Sequence, residues 1–407
     1  MREQMEGSTA IARTVARCRP QVVPAYPITP QTHIVEAVGA MVKVGTLTPC
    51  EFITVESEFA AMSAAIGASA AGARAYTATA SQGLLYMAEA LFNAAGLGLP
   101  IVMTVANRAI GAPINIWNDQ SDAMSQRDCG WIQLYAEDNQ AAVGLHVIAF
   151  RLAETLSVPV MVCVDGFVLT HAFEPIELPT PRQVDDYLPT YQPRQVLDPD
   201  EPVTIGAMVG PEAFTEVRYL AHHQLTQALV RFPELADEYA AATGQALSAV
   251  STYRNAGART VVVALGSVIG TVKDTVDDYD KPVGVVTLTL YRPFPAADVR
   301  RALADADHVV VLERAFAPGA GGIVSADVRA ALAGLPTRIS TVVAGLGGRA
   351  VTRASLRTML DDAHAGRLPE LSFLDLRTQV VAQEIARLDD VAHHPHRSAA
   401  PPRIDVR

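Results

Sequence analysis

Two carboxylates, Glu56 and Glu58, stand where a β-rich run passes into an alanine-rich helical pattern, within the stretch FITVESEFAAMSAAIGAS. In an open α/β sheet, ligands collect where strands end and helices begin, so a carboxylate at such a junction is placed to contact one. Its chemistry would be acid–base, because a positioned carboxylate can accept and return a proton. Alternatively, both groups only favour a helix N-terminus, for about 0.3–1 kcal/mol each. The spacing alone leaves both interpretations open.

A second candidate is Thr29, which two prolines bracket in the run AYPITPQT. Proline fixes its own φ and keeps the preceding residue away from the α region, so Thr29 is predicted to lie in an extended turn with its hydroxyl aimed outward. Alternatively, Thr29 or Thr32 caps the helix predicted over residues 33–44. Both interpretations fit the sequence equally well.

Arg108 follows an apolar strand predicted over residues 101–106. A guanidinium there is costly to bury unless it meets an anion, and its planar fork matches a carboxylate. Alternatively, it forms an internal ion pair with Asp119 or Asp122, since buried charges are normally paired. The irregular segment that follows, residues 109–127, has the length of loops that tend to be functional.

The turn ASQG, residues 80–83, joins a predicted strand to a predicted helix. Helix N-termini present main-chain N–H groups, so Ser81 and Gln82 are candidates for contact with a ligand. This signal is weak when taken alone.

These residues need a scaffold that brings strand ends together, and the pattern predicts one. Strand and helix patterns alternate through the first half of the chain, which predicts a mostly parallel sheet covered on both faces. Four further β-rich runs begin at residue 260 and predict a smaller parallel-sheet domain, with the boundary at residues 255–257. Frequent prolines predict an extended arm at about residues 173–204.

Composition narrows the class of protein. The net charge of −11 and the lack of a basic run argue against nucleic-acid binding. Half of the residues are hydrophobic and only 18% are charged, which predicts large faces buried against partner chains. No stretch resembles a signal peptide or a membrane span, so we expect a cytoplasmic protein that does not bind membranes.

The cysteines lie far apart, without the CxxC spacing that metal and iron–sulfur sites require, and we expect reduced, buried thiols. They are Cys18, Cys50, Cys129 and Cys163. Beyond a helix predicted to end near Leu388, the chain lacks the apolar residues to fold alone. His393, His394 and His396 in this region could bind a metal, but a flexible tail is favoured.

Together, several motifs resemble the α subunit of the pyruvate:ferredoxin oxidoreductase family, which comprises thiamine-diphosphate-dependent 2-oxoacid:ferredoxin oxidoreductases. The resemblance covers most of the chain, and the motifs occur in the family's order. They are AYPITPQT, FITVESEFAAMSAAIGASAAG, TATASQGL, ANRAIGAPINIWNDQSD, VDGFVLTH, VALGS, LYRPF, VLERAFAPGAGG and GLGGR.

The resemblance implies an α/β protein in which a thiamine-diphosphate-binding, pyrimidine-type parallel-sheet domain is followed by a transketolase C-terminal-like α/β domain. The implied domains are residues 1–250, including the proline-rich arm, and residues 258–375, with residues 376–407 forming a C-terminal helix and flexible tail. For Glu58, Thr29 and Arg108, the resemblance also favours the functional alternative over the structural one. Glu58 matches the carboxylate that hydrogen-bonds N1′ of the cofactor's aminopyrimidine, while Thr29 and Arg108 match residues that meet the 2-oxoacid.

The cofactor-binding residues implied by the same resemblance are Glu58, Tyr26, Pro27, Ile28, Ser81 and Gln82. The family's diphosphate and Mg²⁺ motif, GDG followed by asparagines, does not occur in the chain. The most similar dipeptide, Asp165-Gly166, lacks the first glycine. The resemblance therefore implies a shared thiamine diphosphate, with Mg²⁺ and [4Fe-4S] clusters on β, γ and δ partner subunits. Coenzyme A, ferredoxin and a 2-oxoacid are the implied reactants. Pyruvate is the expected 2-oxoacid, and the alternatives are phenylglyoxylate, a branched-chain 2-oxoacid, 2-oxoglutarate or oxalate, or a non-catalytic assembly subunit.

Overall fold

The computed structural model describes residues 2–393, with side chains described as far as residue 388. The strands are β1 (Glu3–Glu6), β2 (Val22–Ala25), β3 (Glu51–Thr54), β4 (Tyr76–Thr79), β5 (Val102–Asn107), β6 (Ile132–Tyr135), β7 (Val160–Asp165), β8 (Phe173–Ile176), β9 (Val250–Tyr253), β10 (Thr260–Ala264), β11 (Val283–Leu288), β12 (Leu290–Arg292), β13 (His308–Glu313), β14 (Arg338–Val343) and β15 (Leu371–Phe373).

The helices are α1 (Gly7–Arg17), α2 (Thr32–Lys43), α3 (Glu58–Ala70), α4 (Ser81–Tyr86), α5 (Ala88–Gly96), α6 (Ser121–Ser125), α7 (Asn139–Leu156), α8 (Pro181–Tyr187), α9 (Phe214–Thr226), α10 (Ala228–Thr243), α11 (Val268–Asp277), α12 (Ala296–Ala302), α13 (Val324–Ala331), α14 (Arg353–His364) and α15 (Thr378–His393), with a 3₁₀ turn at Leu346–Gly348. None of the described helices combines the length and the apolar character needed to cross a membrane.

The first sheet has the strand order β12-β6-β7-β5-β4, and β4 to β7 run parallel. The parallel pair β2-β3 extends it, because Val22 forms a bridge with Ala75 just before β4. Strands β4, β5 and β7 are buried along their whole length, as expected for a parallel sheet with covered faces. The predicted α/β class is therefore confirmed.

Alternate residues of the first sheet enter two different cores. On β5, Val102 and Ala106 pack with helices α1, α2, α7 and α10. Met103 and Val105 face the opposite way, into a core that contains α3, α5 and residues of the second sheet. This alternation follows from the two-residue period of a strand, and it makes the second core common to both sheets.

The second sheet has the order β15-β14-β13-β10-β11-β9, and only β9 is antiparallel within it. Its outer face packs on α11 and α14. Two details differ from the predicted boundary at residues 255–257. Strand β9 already belongs to the second sheet although it precedes that boundary, and β12 leaves the second half of the chain to pair with β6 of the first sheet.

A buried charge cluster joins the two sheets. Asp165, at the end of β7, accepts hydrogen bonds from the Ser267 N–H at 2.8 Å and from Arg314 Nη1 at 2.9 Å. Gln120 Nε2 donates to the other carboxylate oxygen at 3.2 Å. Asp165 and the Arg314 side chain are almost fully buried, so removing one partner would leave an uncompensated charge.

The predicted proline-rich arm is only partly extended. Residues 173–176 form β8, which pairs antiparallel with β1, and Thr180 begins helix α8 with a complete capping box. Mostly exposed chain that forms neither helix nor strand, with several bends, occupies residues 189–204. Helix α15 lies where the C-terminal helix was predicted, whereas His394, His396 and the rest of the predicted tail lie outside the described residues.

Candidate active site

The candidate residues lie beyond the carboxyl ends of parallel strands. The loop carrying Thr29 follows β2, Glu58 follows β3, Ser81 follows β4 and Arg108 follows β5. Because parallel strands end at the same edge of a sheet, this topology brings four separate sequence motifs to one edge.

Glu58 is the first residue of α3, whose N-cap Ser57 accepts a hydrogen bond from the Ala60 N–H at 3.2 Å. Glu58 is 8% exposed, and within the described part of the chain its carboxylate has no hydrogen-bond or ion-pair partner. A buried carboxylate is costly without a partner. Glu56 lies in the bend between β3 and α3 and is exposed, so the two carboxylates have different environments.

Gly83 on α4 approaches Glu58 closely. A Cβ atom at Gly83 would lie 2.6 Å from Glu58 Oε1 and 2.6 Å from Thr79 Oγ1. Thr79 is buried at the end of β4, and its hydroxyl likewise has no hydrogen-bond partner among the residues that the structure describes. The absence of a side chain at residue 83 therefore keeps a carboxylate and a hydroxyl side by side, both unpaired.

Thr29 is exposed, and its hydroxyl makes no hydrogen bond with any residue that the structure describes. Its carbonyl oxygen accepts from Arg108 Nη1 at 2.9 Å. The proposed capping role is wrong: the N-cap of α2 is Gln31, and no side chain caps this helix. The Gln31 side chain instead donates from Nε2 to the Ala78 carbonyl at 2.6 Å, which fixes the loop against β4.

The other predicted cofactor-binding residues of this loop lie near its surface. Tyr26 and Pro27 are exposed and Ile28 is half-buried. The Ile28 carbonyl accepts from the Gln31 N–H at 2.8 Å, which closes the turn before α2. The loop therefore presents Tyr26, Pro27 and Thr29 outward at the strand edge.

Arg108 is buried, and its guanidinium donates to two main-chain carbonyls, those of Thr29 and of Asn115 at 3.2 Å. Among the described residues it has no carboxylate within ion-pair distance, so the alternative of an ion pair with Asp119 or Asp122 is wrong. Burial lowers the pKa of Arg108 from its usual value, and the nearby Asp122 charge opposes that effect. A buried cation without an anionic partner is suited to receive one.

Asp122 connects the residues of the site through hydrogen bonds. The sequence had suggested it only as an ion-pair partner for Arg108. Its carboxylate accepts from the main-chain N–H groups of Ser81 and Arg108, each at 2.9 Å. Asn107 Nδ2 and the Asp122-Ala123 peptide N–H each donate to its second oxygen at 2.8 Å. Burial raises the pKa of Asp122 to about 6, although these four donors favour its charged form. Asp122 thereby fixes the ends of β4 and β5 relative to each other.

Ser81 and Gln82 are less available than the sequence indicated. The Ser81 N–H donates to Asp122, and its hydroxyl contacts the Gln82 side chain and the Ala109 carbonyl. Ser81 is buried with a positive φ of 47°, whereas Gln82 is half-buried beside Gly111. Only Gln82 remains open to a ligand through its side chain.

The residues present fit the aminopyrimidine end of thiamine diphosphate. Proton exchange at N1′ of that ring would need a carboxylate beside it, and Glu58 is a buried carboxylate whose oxygens make no hydrogen bond within the described residues. The unpaired Thr79 hydroxyl and the space at Gly83 lie directly against it. The diphosphate end finds no matching group at Asp165, because Gln120, Ser267 and Arg314 already occupy that carboxylate.

Sequence reasoning missed Asp122, Gln31, Thr79 and Gly83. Asp122 lies in an irregular loop, so no periodic pattern marks it, and its role depends on contacts with residues 14 and 41 positions away. Gly83 had a signal in the sequence, since a glycine within the first turn of a short helix has a cost that a close approach can explain.

Both halves of the chain match models of the same protein family. Residues 13–237 match the family described as pyruvate flavodoxin/ferredoxin oxidoreductase, thiamine diphosphate-binding, and residues 258–356 match pyruvate:ferredoxin oxidoreductase core domain II. The pyruvate synthase subunit PorA of Methanosarcina barkeri is 42% identical over 390 residues, 93% of this chain and 97% of that protein. PorA of Thermotoga maritima is 41% identical over 92% of this chain and 98% of that protein.

More distant relatives have other named substrates. The ketoisovalerate oxidoreductase subunit VorA of Pyrococcus horikoshii is 36% identical over 89% of this chain and 93% of that protein. A solved 2-oxoglutarate:ferredoxin oxidoreductase from Magnetococcus marinus, with 2-oxoglutarate, coenzyme A and succinyl-CoA bound, superimposes with a TM-score of 0.72 at 20% identity. The match covers 89% of this chain and 65% of that longer chain, and it shows the shared fold.

Proposed function

The chain belongs to the pyruvate:ferredoxin oxidoreductase family, and we propose that it is the thiamine-diphosphate-binding α subunit of a pyruvate synthase. The overall reaction is pyruvate, coenzyme A and oxidised ferredoxin to acetyl-CoA, CO₂ and reduced ferredoxin. The observation that carries this proposal is the buried Glu58 carboxylate, unpaired at the strand edge beside Gly83 and Thr79. The 41–42% identity to two PorA subunits over nearly their whole length favours pyruvate as the substrate.

In this proposal Glu58 holds and moves a proton at N1′ of the aminopyrimidine. Bound thiamine diphosphate supplies the carbon nucleophile and the electron sink for decarboxylation of a 2-oxoacid. Glu58 suits its role because only 8% of it is exposed and it starts a helix, and the low local dielectric strengthens its interaction with a ring N–H. Exposed Glu56 lacks that environment.

Arg108 and Thr29 are proposed to bind the 2-oxoacid. Arg108 would neutralise the substrate carboxylate, and its bonds to the carbonyls of Thr29 and Asn115 already orient the guanidinium. The free Thr29 hydroxyl would donate to the substrate from the same loop. Since Arg108 donates a hydrogen bond to the Thr29 carbonyl, the two groups would position the substrate together.

The remaining cofactors and partners follow from what this chain lacks. Asp165 is committed to the junction between the sheets, so we propose that the diphosphate and its Mg²⁺ bind a partner β subunit. The four cysteines are separate free thiols, so we assign the [4Fe-4S] clusters to partner subunits. Free thiols also favour a reducing compartment, and we place the protein in the cytoplasm.

Large apolar side chains at the strand edge support a covering partner. Tyr86 is 61% exposed and Ile114 is 79% exposed, and Phe59 and Trp117 are also exposed nearby in the same loops and helices. Exposed apolar groups that cluster around a site commonly mark a protein interface. A partner seated there would exclude water from Glu58.

The test is the substitution Glu58→Gln in the purified complex. The amide keeps the shape of the side chain but cannot exchange a proton as a carboxylate does, so kcat should fall by at least ~10²-fold. Both C2-proton exchange of bound thiamine diphosphate and steady-state turnover should be measured. Cofactor affinity, measured by calorimetry, gives a readout that does not depend on turnover.

Glu56→Gln is the matched control, because it makes the same change two residues away on an exposed side chain. It should leave exchange and turnover nearly unchanged. Normal exchange in Glu58→Gln, or a larger loss in Glu56→Gln, would show that another group handles the proton. A panel of 2-oxoacids with a ferredoxin-like dye separates pyruvate from ketoisovalerate, 2-oxoglutarate, phenylglyoxylate and oxalate. Turnover of none of them would indicate an assembly subunit instead.

A further inference from the structure

Glu6, His33 and His171 come together outside the site described above. Glu6 ends β1, His33 lies in the first turn of α2, and His171 lies in the loop after β7. One ligand atom of each residue lies within 4.8 Å of the other two. Glu6 Oε1 is 2.8 Å from His33 Nδ1, and the two imidazole centroids are 4.7 Å apart.

Main-chain contacts hold Glu6 and His171 in fixed relation. The N–H and hydroxyl of Ser8 donate to the Thr170 carbonyl at 2.8 and 2.7 Å. Glu6 also lies opposite Phe173 in the β1-β8 pair. The two ligand-bearing segments are therefore joined on both sides of the cluster.

A hydroxyl group orients His171. Thr170 Oγ1 lies 2.7 Å from His171 Nδ1 and accepts from the Phe167 N–H at 2.8 Å. This contact engages Nδ1, so Nε2 is the ring nitrogen left to bind a metal.

We propose that Glu6, His33 and His171 form a binding site for a divalent first-row transition-metal ion, with Zn²⁺ as the expected occupant. Two imidazoles and one carboxylate favour such an ion over Ca²⁺ or Mg²⁺. Zinc at about 2.1 Å from each ligand places ligand atoms roughly 3.4 Å apart, and the half-exposed His33 side chain has room to adjust. Its exposure also leaves a path for entry and a fourth position for water.

The ion would brace the loop that carries Thr29. His33 is in the helical turn that follows this loop, and Gly166 packs so closely on Pro30 that a Cβ would lie 2.5 Å from Pro30 Cγ. An ion held by His33 and His171 would therefore connect α2 to the loop after β7, next to the existing contact between Pro30 and Gly166. The metal-binding measurements below do not depend on catalysis, so they stand whether or not the proposed function holds.

The experiment measures zinc bound by the full-length chain after dialysis and titration against a chelating dye. His393, His394 and His396 are replaced with Asn in every protein, because these tail residues could bind zinc themselves. The parent should retain about one Zn²⁺ per chain, and Co²⁺ should give the visible absorption of a four-coordinate N/O site. His33→Asn and His171→Asn should each weaken zinc binding at least ~100-fold, as expected when a ligand is removed.

Two further variants separate a built site from general loss of structure. Thr170→Val should weaken zinc binding ~10–100-fold by freeing the His171 ring, whereas Thr170→Ser keeps the hydroxyl and should restore it. His222→Asn changes an exposed histidine on α9 and should have no effect. Failure of the parent to retain zinc, or unchanged affinity in His33→Asn and His171→Asn, would overturn the proposal. Circular dichroism confirms that each variant is folded.

Discussion

Replacing Gly83 with alanine tests how Glu58 is positioned without touching Glu58 itself. The added Cβ would lie 2.6 Å from Glu58 Oε1 and from Thr79 Oγ1, and 2.8 Å from Glu58 Cγ. Ordinary contact begins at 3.4 Å, so the carboxylate must retreat by 3.4 − 2.6 = 0.8 Å or the first turn of α4 must move by a similar distance.

The expected cost follows from that displacement. Misplacing a reacting group by about 1 Å can cost ~10²-fold in rate, so Gly83→Ala should lower kcat by roughly 10- to 100-fold. Overpacking should also lower the free energy of unfolding by about 1–3 kcal/mol, partly offset by the better helix propensity of alanine. Steady-state turnover and chemical denaturation of the purified complex measure the two effects.

Gly67→Ala is the matched control, because Gly67 lies on the same helix as Glu58 and a Cβ there meets nothing within 4 Å. It should keep wild-type turnover. In the Glu58→Gln background, Gly83→Ala should add little further loss, since both changes act through one carboxylate. Wild-type kcat in Gly83→Ala, or full additivity with Glu58→Gln, would refute this reasoning.

Three further predictions follow from the structure. Arg108→Lys should raise KM for the 2-oxoacid about tenfold, because an ammonium cannot reproduce the guanidinium fork that contacts Thr29 and Asn115. Arg127→Lys serves as a control outside the site, since its guanidinium donates to the Met124 carbonyl; equal KM values for Arg108→Lys and the wild type would reduce Arg108 to a structural role. His146 is fully buried between Thr104 and the Ala142 carbonyl, and burial lowers its pKa from 6.5 to about 4. The neutral imidazole therefore contributes stability above pH 6.5, and about 3 kcal/mol of the free energy of unfolding should be lost as the pH falls from 6.5 to 4. His146→Gln should lack this part of the pH dependence of the free energy of unfolding. The same pH dependence in the variant and the wild type would contradict the assignment. Finally, the chain expressed alone should show neither 2-oxoacid oxidation nor iron–sulfur absorbance, a prediction that activity of the isolated subunit would disprove.

The order of strands and helices in the sequence was sufficient to place some of the candidate residues at one edge of a sheet. Arg108 stands immediately after β5 and Glu58 starts the helix that follows β3, so the alternation of strands and helices already predicts that both reach one edge of a sheet. The sequence could not decide the alternatives that depend on which residue pairs with which. Asp122 is close enough to affect Arg108, yet its lone pairs are filled by four N–H donors, so it forms no ion pair with the guanidinium.

The cap of α2 illustrates the same limit. Thr29 and Thr32 have the residue type for capping, but the helix begins at Thr32 with Gln31 before it, and the Gln31 amide is drawn to the Ala78 carbonyl of a neighbouring strand. Contacts between residues 47 positions apart leave no periodic trace in a sequence. The junction between Asp165 and Arg314 escaped prediction for this reason as well.

Strand β12 comes from the second half of the chain but pairs with the first sheet, so the two halves are not separable modules. Residues 290–292 close the outer side of β6, and the Tyr135 N–H donates to the Thr289 carbonyl at 2.7 Å just beside them. A fragment ending near residue 250 would thus leave β6 as an open edge, with unpaired main-chain groups that invite association with other chains. The first sheet is complete only after residues 290–292 have been made, so the first half of the polypeptide cannot pair all of its strands by itself.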